Sequence, residues 1–139
     1  MEQRYQLLTK IGSGGMAEVY HARQIGPGGF AKEVAVKRLL PWLTSERKVL
    51  DMFFDEARIL SGLNHPNIVQ VHAFEQVANE YLLVMEYVHG VSLARLMARQ
   101  RARERPLTAS LAAHIGAETA HGLAYAHEKA DEHGRPLRI

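Results

Sequence analysis

Residues 11–20 read IGSGGMAEVY, and residues 32–40 read KEVAVKRLL. Gly12, Gly14 and Gly15 lie between two segments with strand character, YQLLTKI at 5–11 and EVYHARQI at 18–25. A dinucleotide fingerprint would need its glycines to open a helix after a strand, and a Walker loop would end in Gly-Lys-Ser/Thr. Neither condition is met. What remains is a hairpin whose tip can lie close to an oxyanion, because bare backbone can approach it and offer N–H groups. Such a tip asks for a cation nearby. Lys37 stands in the third strand-like segment, two residues after Ala35 and on the same face. A lysine there either snorkels to water at a sheet edge or faces a partner or ligand, since an unpaired charge among apolar neighbours is costly.

Working outward, the period changes after Pro41. SERKVLDMFFDEARILSGL at 45–63 repeats as a helix, with Phe53, Ala57 and Leu60 on one face and Met52 and Ile59 broadening the stripe. Glu56 falls on the Phe53–Leu60 face, where an acid wants a base, and Lys37 is the obvious one. Asp55 and Arg58 point to solvent in the same periodicity. Gly62 and NHPN at 64–67 stop the helix. IVQVHAFE at 68–75 and YLLVMEYV at 81–88 read as strands four and five, the last dense enough to be central. In the second strand Val19 and Ala22 are expected inward. GPGG at 26–29 is a turn, with glycines that admit positive φ. A short helix starts from residue 90 with Ser92 as its N-cap. A longer one spans 107–130 with Thr108 as cap and Leu111, Ile115, Thr119, Gly122 or Leu123, and Ala126 along its stripe. Residues 131–136 read as a loop and PLRI at 136–139 as the start of another strand. Three strands joined by short links, a helix, two strands and then helices make an α+β chain with an antiparallel sheet.

Composition narrows the function. The chain has 139 residues and a net charge of +2, too even a balance to mark a nucleic-acid binder. The basic run ARQRARERP at 98–106 reads as a solvated helix end or loop rather than a docking patch. With no cysteine, disulfides and thiolate metal sites are excluded. The histidines have no metal-ligand spacing. His114 and His121 read as helix-surface residues, and His65 as part of a turn. No stretch has signal-peptide or membrane-spanning character, so a cytoplasmic location and no membrane contact by this segment are expected.

IGSGGMAEVY, VAVK, FFDEARIL, NHPNIV, YLLVMEYV and GVSL, in that order and at those spacings, resemble the N-terminal half of a protein kinase domain of the bacterial serine/threonine type. The resemblance covers essentially the whole chain from about Tyr5. It implies a protein-kinase-like fold, truncated: a small lobe at 1–87, with five antiparallel strands and a regulatory helix at about 48–63. The hinge and the first, incomplete helices of the large lobe would occupy 88–139. It implies ATP as ligand, with Mg²⁺. Gly12, Gly14 and Gly15 would cover its phosphates, and Ile11 and Ser13 would also belong to the nucleotide-binding set. Lys37 would contact the α- and β-phosphates and pair with Glu56. Val19 and Ala35 would cover the adenine, Met85 would be the gatekeeper, and Glu86 and Val88 would read the base edge through their backbone. Leu60 and Val71 would join the hydrophobic stack of an active kinase, and Gly90 and Ser92 would sit at the lip of the pocket. One position departs from the family's G-x-G-x-x-G: the third glycine is Ala17, expected to affect loop flexibility modestly.

The family's H-R-D catalytic loop and D-F-G metal site would lie downstream of PLRI. The resemblance therefore implies that this chain supplies nucleotide binding to a protein kinase, without its catalytic base or metal ligands. A protein substrate would be engaged through large-lobe parts not in this chain, and the large-lobe helices would be exposed enough to self-associate. Two other readings stay open: a non-catalytic product that binds nucleotide or regulates a kinase, and a purely structural fragment. Lys37→Met separates the last from the others.

Overall fold

The computed structural model describes residues 4–130 and Pro136. The expected loop at 131–135 and the PLRI strand beyond Pro136 lie outside the described residues, while Pro136 itself forms an antiparallel bridge with Ala130. The chain divides into two compact units, one of Met1–Asn64 with Val69–Val88 and one of His65–Ile68 with His89–Ile139.

The first unit is a five-stranded antiparallel sheet carrying one long helix. Its strands are β1 (Tyr5–Ser13), β2 (Ala17–Ile25), β3 (Ala31–Leu39), β4 (Val71–Val77) and β5 (Glu80–Glu86), in the order β1-β2-β3-β5-β4. The central strands are covered on both faces. Ala22, Val34, Val36, Leu82 and Val84 form one core with Tyr5. Ala17, Leu39 and Leu83 form a second core with Phe53 and Ala57 of the helix α1 (Arg47–Ser61). This double burial explains why β3 and β5 read as nearly continuous apolar runs rather than alternating ones. It also corrects the expectation that Val19 and Ala22 point the same way. Three residues apart in a strand, they lie on opposite faces, and Ala22 alone belongs to the first core.

The sheet is curled. β1 and β4 are its two edges, yet the Tyr5 hydroxyl donates to Glu75 at 2.8 Å, and Arg4 pairs with the same carboxylate at 2.8 Å. Two irregularities in β1, at Leu8 and Ile11, add the local twist that lets it wrap. The link between β2 and β3 is a short 3₁₀ turn, Pro27–Gly29, with Gly28 and Gly29 at φ of 65° and 80°.

α1 presents Phe53, Glu56, Ala57 and Leu60 to the sheet, and Phe54 meets Phe74 and Tyr81 edge-on. Met52 is not part of this face; it is 59% exposed. One hundred degrees from Phe53 in the helix, it turns past the edge of the stripe. The helix runs inside its 45–63 pattern, from Arg47 with Glu46 as N-cap, and a 3₁₀ turn at Pro41–Leu43 precedes it.

The second unit contains α2 (Leu93–Ala102) and α3 (Ala109–Glu128). Both caps read in the sequence are present: Ser92 Oγ accepts from Arg95 N, and Thr108 Oγ1 from Leu111 N. On α3, Gly122 and Ala126 are buried, but Leu111 and Leu123 are exposed, so the covered stripe is narrower than the apolar pattern. His65–Ile68 belong to this unit. The Asn67 amide nitrogen donates to the Glu118 backbone carbonyl at 2.9 Å and to its carboxylate at 2.7 Å, over the bare backbone of Gly122. β4 begins at Val71, not at Ile68: His65–Ile68 belong to the second unit, and Val69 and Gln70 lead into the strand, with Gln70 bonded to Glu86.

Candidate nucleotide site

Cross-strand register assembles the site. Gly12 lies opposite Val19, Val19 opposite Lys37, and Lys37 opposite Leu83. With strands about 4.8 Å apart, Gly12 and Lys37 are separated by roughly 10 Å across the sheet. In the next row on the same face, His21 lies opposite Ala35 and Ala35 opposite Met85. The face that carries Lys37 is the one α1 packs against, as Leu39 and Leu83 in the Phe53 core show.

Lys37 Nζ donates to both carboxylate oxygens of Glu56, at 2.6 and 2.5 Å, and lies 5.7 Å from the Phe53 ring centroid. The two side chains are 18% and 32% exposed. Solvent can thus reach the pair, yet it is largely enclosed, which shields it less than water would and strengthens the attraction. Neighbouring Asp55 and Arg58 pair with each other at 2.9 Å on the exposed side of α1 and take no part.

The glycine tip joins β1 to β2, and the Gly14 N–H donates to the Ala17 carbonyl at 2.8 Å to close it. None of Gly12, Gly14 and Gly15 has positive φ. A Cβ on Gly12 would make ordinary contact with Val19 at 3.7 Å. On Gly14 it would lie 3.8 Å from the Ala17 carbonyl, and on Gly15 it would meet nothing within 4 Å. The fold itself therefore does not require glycine at any of the three, although each costs conformational entropy. Side chains are withheld from space outside the chain, the arrangement expected where something else comes close to the backbone. Ala17 differs. It is 4% exposed, and its methyl packs into the Leu39–Phe53 core. The departure at this position is thus a packing feature more than a matter of loop flexibility.

Flanking these residues, Ile11 and Val88 are apolar yet 50% and 62% exposed, while Ala35 is buried and Val19 and Met85 are half-buried. Ser13 ends β1. Glu86 is tied to the lead-in of β4 twice: its N–H donates to the Gln70 carbonyl at 2.9 Å, and its carboxylate accepts from the Gln70 N–H at 2.9 Å. Beyond it, Tyr87 stacks on His21. Leu60 and Val71 are half-buried against the Phe53 core. Among the described residues no group of three acidic, histidine or cysteine side chains could hold a metal, and no helix is long and apolar enough to cross a membrane. The turn residue His65 accepts from the Asn67 N–H through Nδ1, and His121 lies on the α3 surface beside Glu118.

A family model for the protein kinase domain matches residues 5–133. The chain belongs to the protein kinase domain family. It is 41% identical over 138 residues to the tyrosine-protein kinase MasK of Myxococcus xanthus, covering 97% of this chain and 21% of that protein. It is 35% identical over 125 residues to the serine/threonine-protein kinase PrkC of Bacillus subtilis, covering 90% of this chain and 18% of that one. The crystal structure of the Mycobacterium tuberculosis PknI kinase domain superposes with a TM-score of 0.68 at 26% identity, over 90% of this chain and 48% of that domain. The chain thus spans about half of a solved kinase domain and about a fifth of these curated relatives. For this kinase chain the expected family and fold class both hold, five-stranded sheet, large helix and following helices included.

Proposed function

We propose that this chain is the nucleotide-binding part of a protein kinase that transfers the γ-phosphoryl of MgATP to a protein hydroxyl. The observation that carries the reading is the bidentate Lys37–Glu56 pair, set one strand from Val19 and two from Gly12. Phosphoryl transfer is catalysed mainly by positioning and charge stabilisation, and this pair does both. Glu56 fixes the ammonium of Lys37, which then meets the α- and β-phosphates as a preset charge rather than as a mobile side chain. The tip, bare of side chains at Gly12, Gly14 and Gly15, lies over the phosphates. Ile11, Val19, Ala35 and Val88 give the adenine apolar contact, Met85 bounds the pocket behind it, and the backbone of Glu86 and Val88 pairs with the base edge. ATP supplies the transferable phosphoryl group. Ligands for Mg²⁺ and the catalytic base would come from outside the described residues, so the reading assigns binding, not turnover, to these residues. In the same reading, residues 1–87 are the small lobe and 88–139 the hinge and first large-lobe helices.

Serine or threonine is the acceptor class we infer, from the sequence resemblance and the name of PrkC, a serine/threonine-protein kinase. MasK is named a tyrosine kinase, so an acceptor assay on the whole protein should offer all three hydroxyls.

Titration of the chain with a fluorescent ATP analogue tests the reading. Lys37→Met should weaken binding about 10- to 100-fold, the scale of a lost charge-assisted hydrogen bond. Glu56→Gln should give a smaller loss, and Lys48→Met, on the exposed start of α1, none. Equal affinity of the chain and its Lys37→Met variant would reject the site and favour a structural fragment.

A further inference from the structure

The segment Glu86–Val88 follows β5 and is held from two sides. On the β4 side Gln70 takes both the N–H and the carboxylate of Glu86. On the β2 side the His21 ring stacks on Tyr87, with centroids 4.0 Å apart and planes 15° from parallel. The imidazole is itself fixed: its Nε2 lies 3.2 Å from Glu33 Oε1, and its side chain is 18% exposed. The register puts His21 opposite Ala35, which in turn lies opposite Met85, so one row of the sheet runs from the imidazole to the residue just before this segment.

We propose that His21 is a positioning residue for base recognition. It clamps Tyr87 and thereby sets the backbone of Glu86–Val88 in the orientation that pairs with the purine edge. This inference rests on the nucleotide-site reading given above. His21 touches no reacting atom. Its effect passes through a single stacked pair, whose worth lies in the range of aromatic pairs generally. Glu33 keeps the imidazole from rotating off the tyrosine ring, and the two Gln70 bonds hold the adjacent Glu86 from the β4 side. The backbone that reads the base is thus preset, so ligand binding spends little in ordering it.

The prediction concerns the base and spares the phosphates. Two ligands are titrated into the chain and its variants: ATP, which engages both parts of the site, and inorganic tripolyphosphate, which engages only the Lys37 and glycine-tip part. His21→Ala should weaken ATP about 3- to 10-fold and leave tripolyphosphate unchanged. His21→Phe, which keeps a stacking ring, should restore most of the loss. Tyr87→Leu should weaken ATP at least as much, and adding His21→Ala to it should cost no more than Tyr87→Leu alone, because the stack is already gone. Equal weakening of both ligands, no weakening of either, or full additivity in the double variant would overturn the role of His21 while leaving the nucleotide site standing. Failure of the unsubstituted chain to bind ATP would overturn both.

Discussion

Tyr5 is the residue on which the curl of the sheet depends most visibly. It is 8% exposed, and its hydroxyl donates to Glu75 across the gap between the two edge strands. Burial, with the hydrogen bond to Glu75 and its negative charge adding to it, pushes the phenol up from 10.0 to about 12. A folded-state value above the unfolded one stabilises the fold while the phenol is protonated in both states. That stability is complete below pH 10 and is lost as pH rises from 10 towards 12. Thermal unfolding followed against pH should therefore fall more steeply over this interval in the natural chain than in Tyr5→Phe, which has no proton to lose. The pairing of Tyr5 with Glu75 could not be read from the sequence, since nothing local specifies which edge residues meet when a sheet curls. The same holds for His21 and Tyr87. Lys37 and Glu56 could be read, because each is a charge at a position where a simple period demands an apolar side chain, and two such anomalies of opposite sign suggest each other. Ala17 looked like a loop residue and proves to be core. A methyl at a strand's first position gives no sign of whether a helix lies over it.

At the scale of elements, α1 is the clearest case of a pattern that is correct in outline and too wide in detail. Phe53 is fully buried against Leu39 and Leu83, whereas Met52 is mostly exposed. Phe53→Ala should cost about 3–5 kcal/mol, the usual range for a large aromatic lost from a core. Met52→Ala should change stability by less than about 0.5 kcal/mol, as for an ordinary surface site. Urea unfolding of the two variants checks both values, and comparable losses would return Met52 to the packed face. Strand identity and order of occurrence were readable from β-branched density and turn residues. Strand boundaries were less so at the start of β4, where the sequence IVQVHAFE continues apolar through residues that a distant helix claims. Nothing in the local pattern of Ile68 announces that it lies against Gly122 of α3.

At the scale of the whole molecule, the division into two units cuts across the order of the chain, because His65–Ile68 leave the first unit for the second. Asn67 secures that excursion through its two bonds to Glu118, and its donated hydrogen bond is the main reason the Glu118 carboxyl is held below the ordinary carboxylate value. A depressed folded-state value stabilises above the unfolded one and is lost as pH falls through the acid range. In Asn67→Ala the Glu118 carboxyl should titrate closer to its ordinary value, as side-chain NMR would report, and the acid sensitivity contributed by this pair should vanish. Gly122→Ala should forfeit the usual helix gain of about 1 kcal/mol, because the added Cβ would stand 3.3 Å from the Asn67 carbonyl, which the two bonds to Glu118 hold in place. In the first unit, the glycine tip and the Lys37–Glu56 pair are proposed to hold the phosphates of a nucleotide. The most direct test is an amide-resolved NMR titration of the chain with a non-hydrolysable ATP analogue and Mg²⁺. Saturable shifts concentrated at Gly12, Gly14, Gly15, Lys37 and Val88, and their loss in Lys37→Met, are expected. Shifts confined to the basic run around Arg101 and Arg105, or no saturable shifts, would contradict this phosphate-binding role.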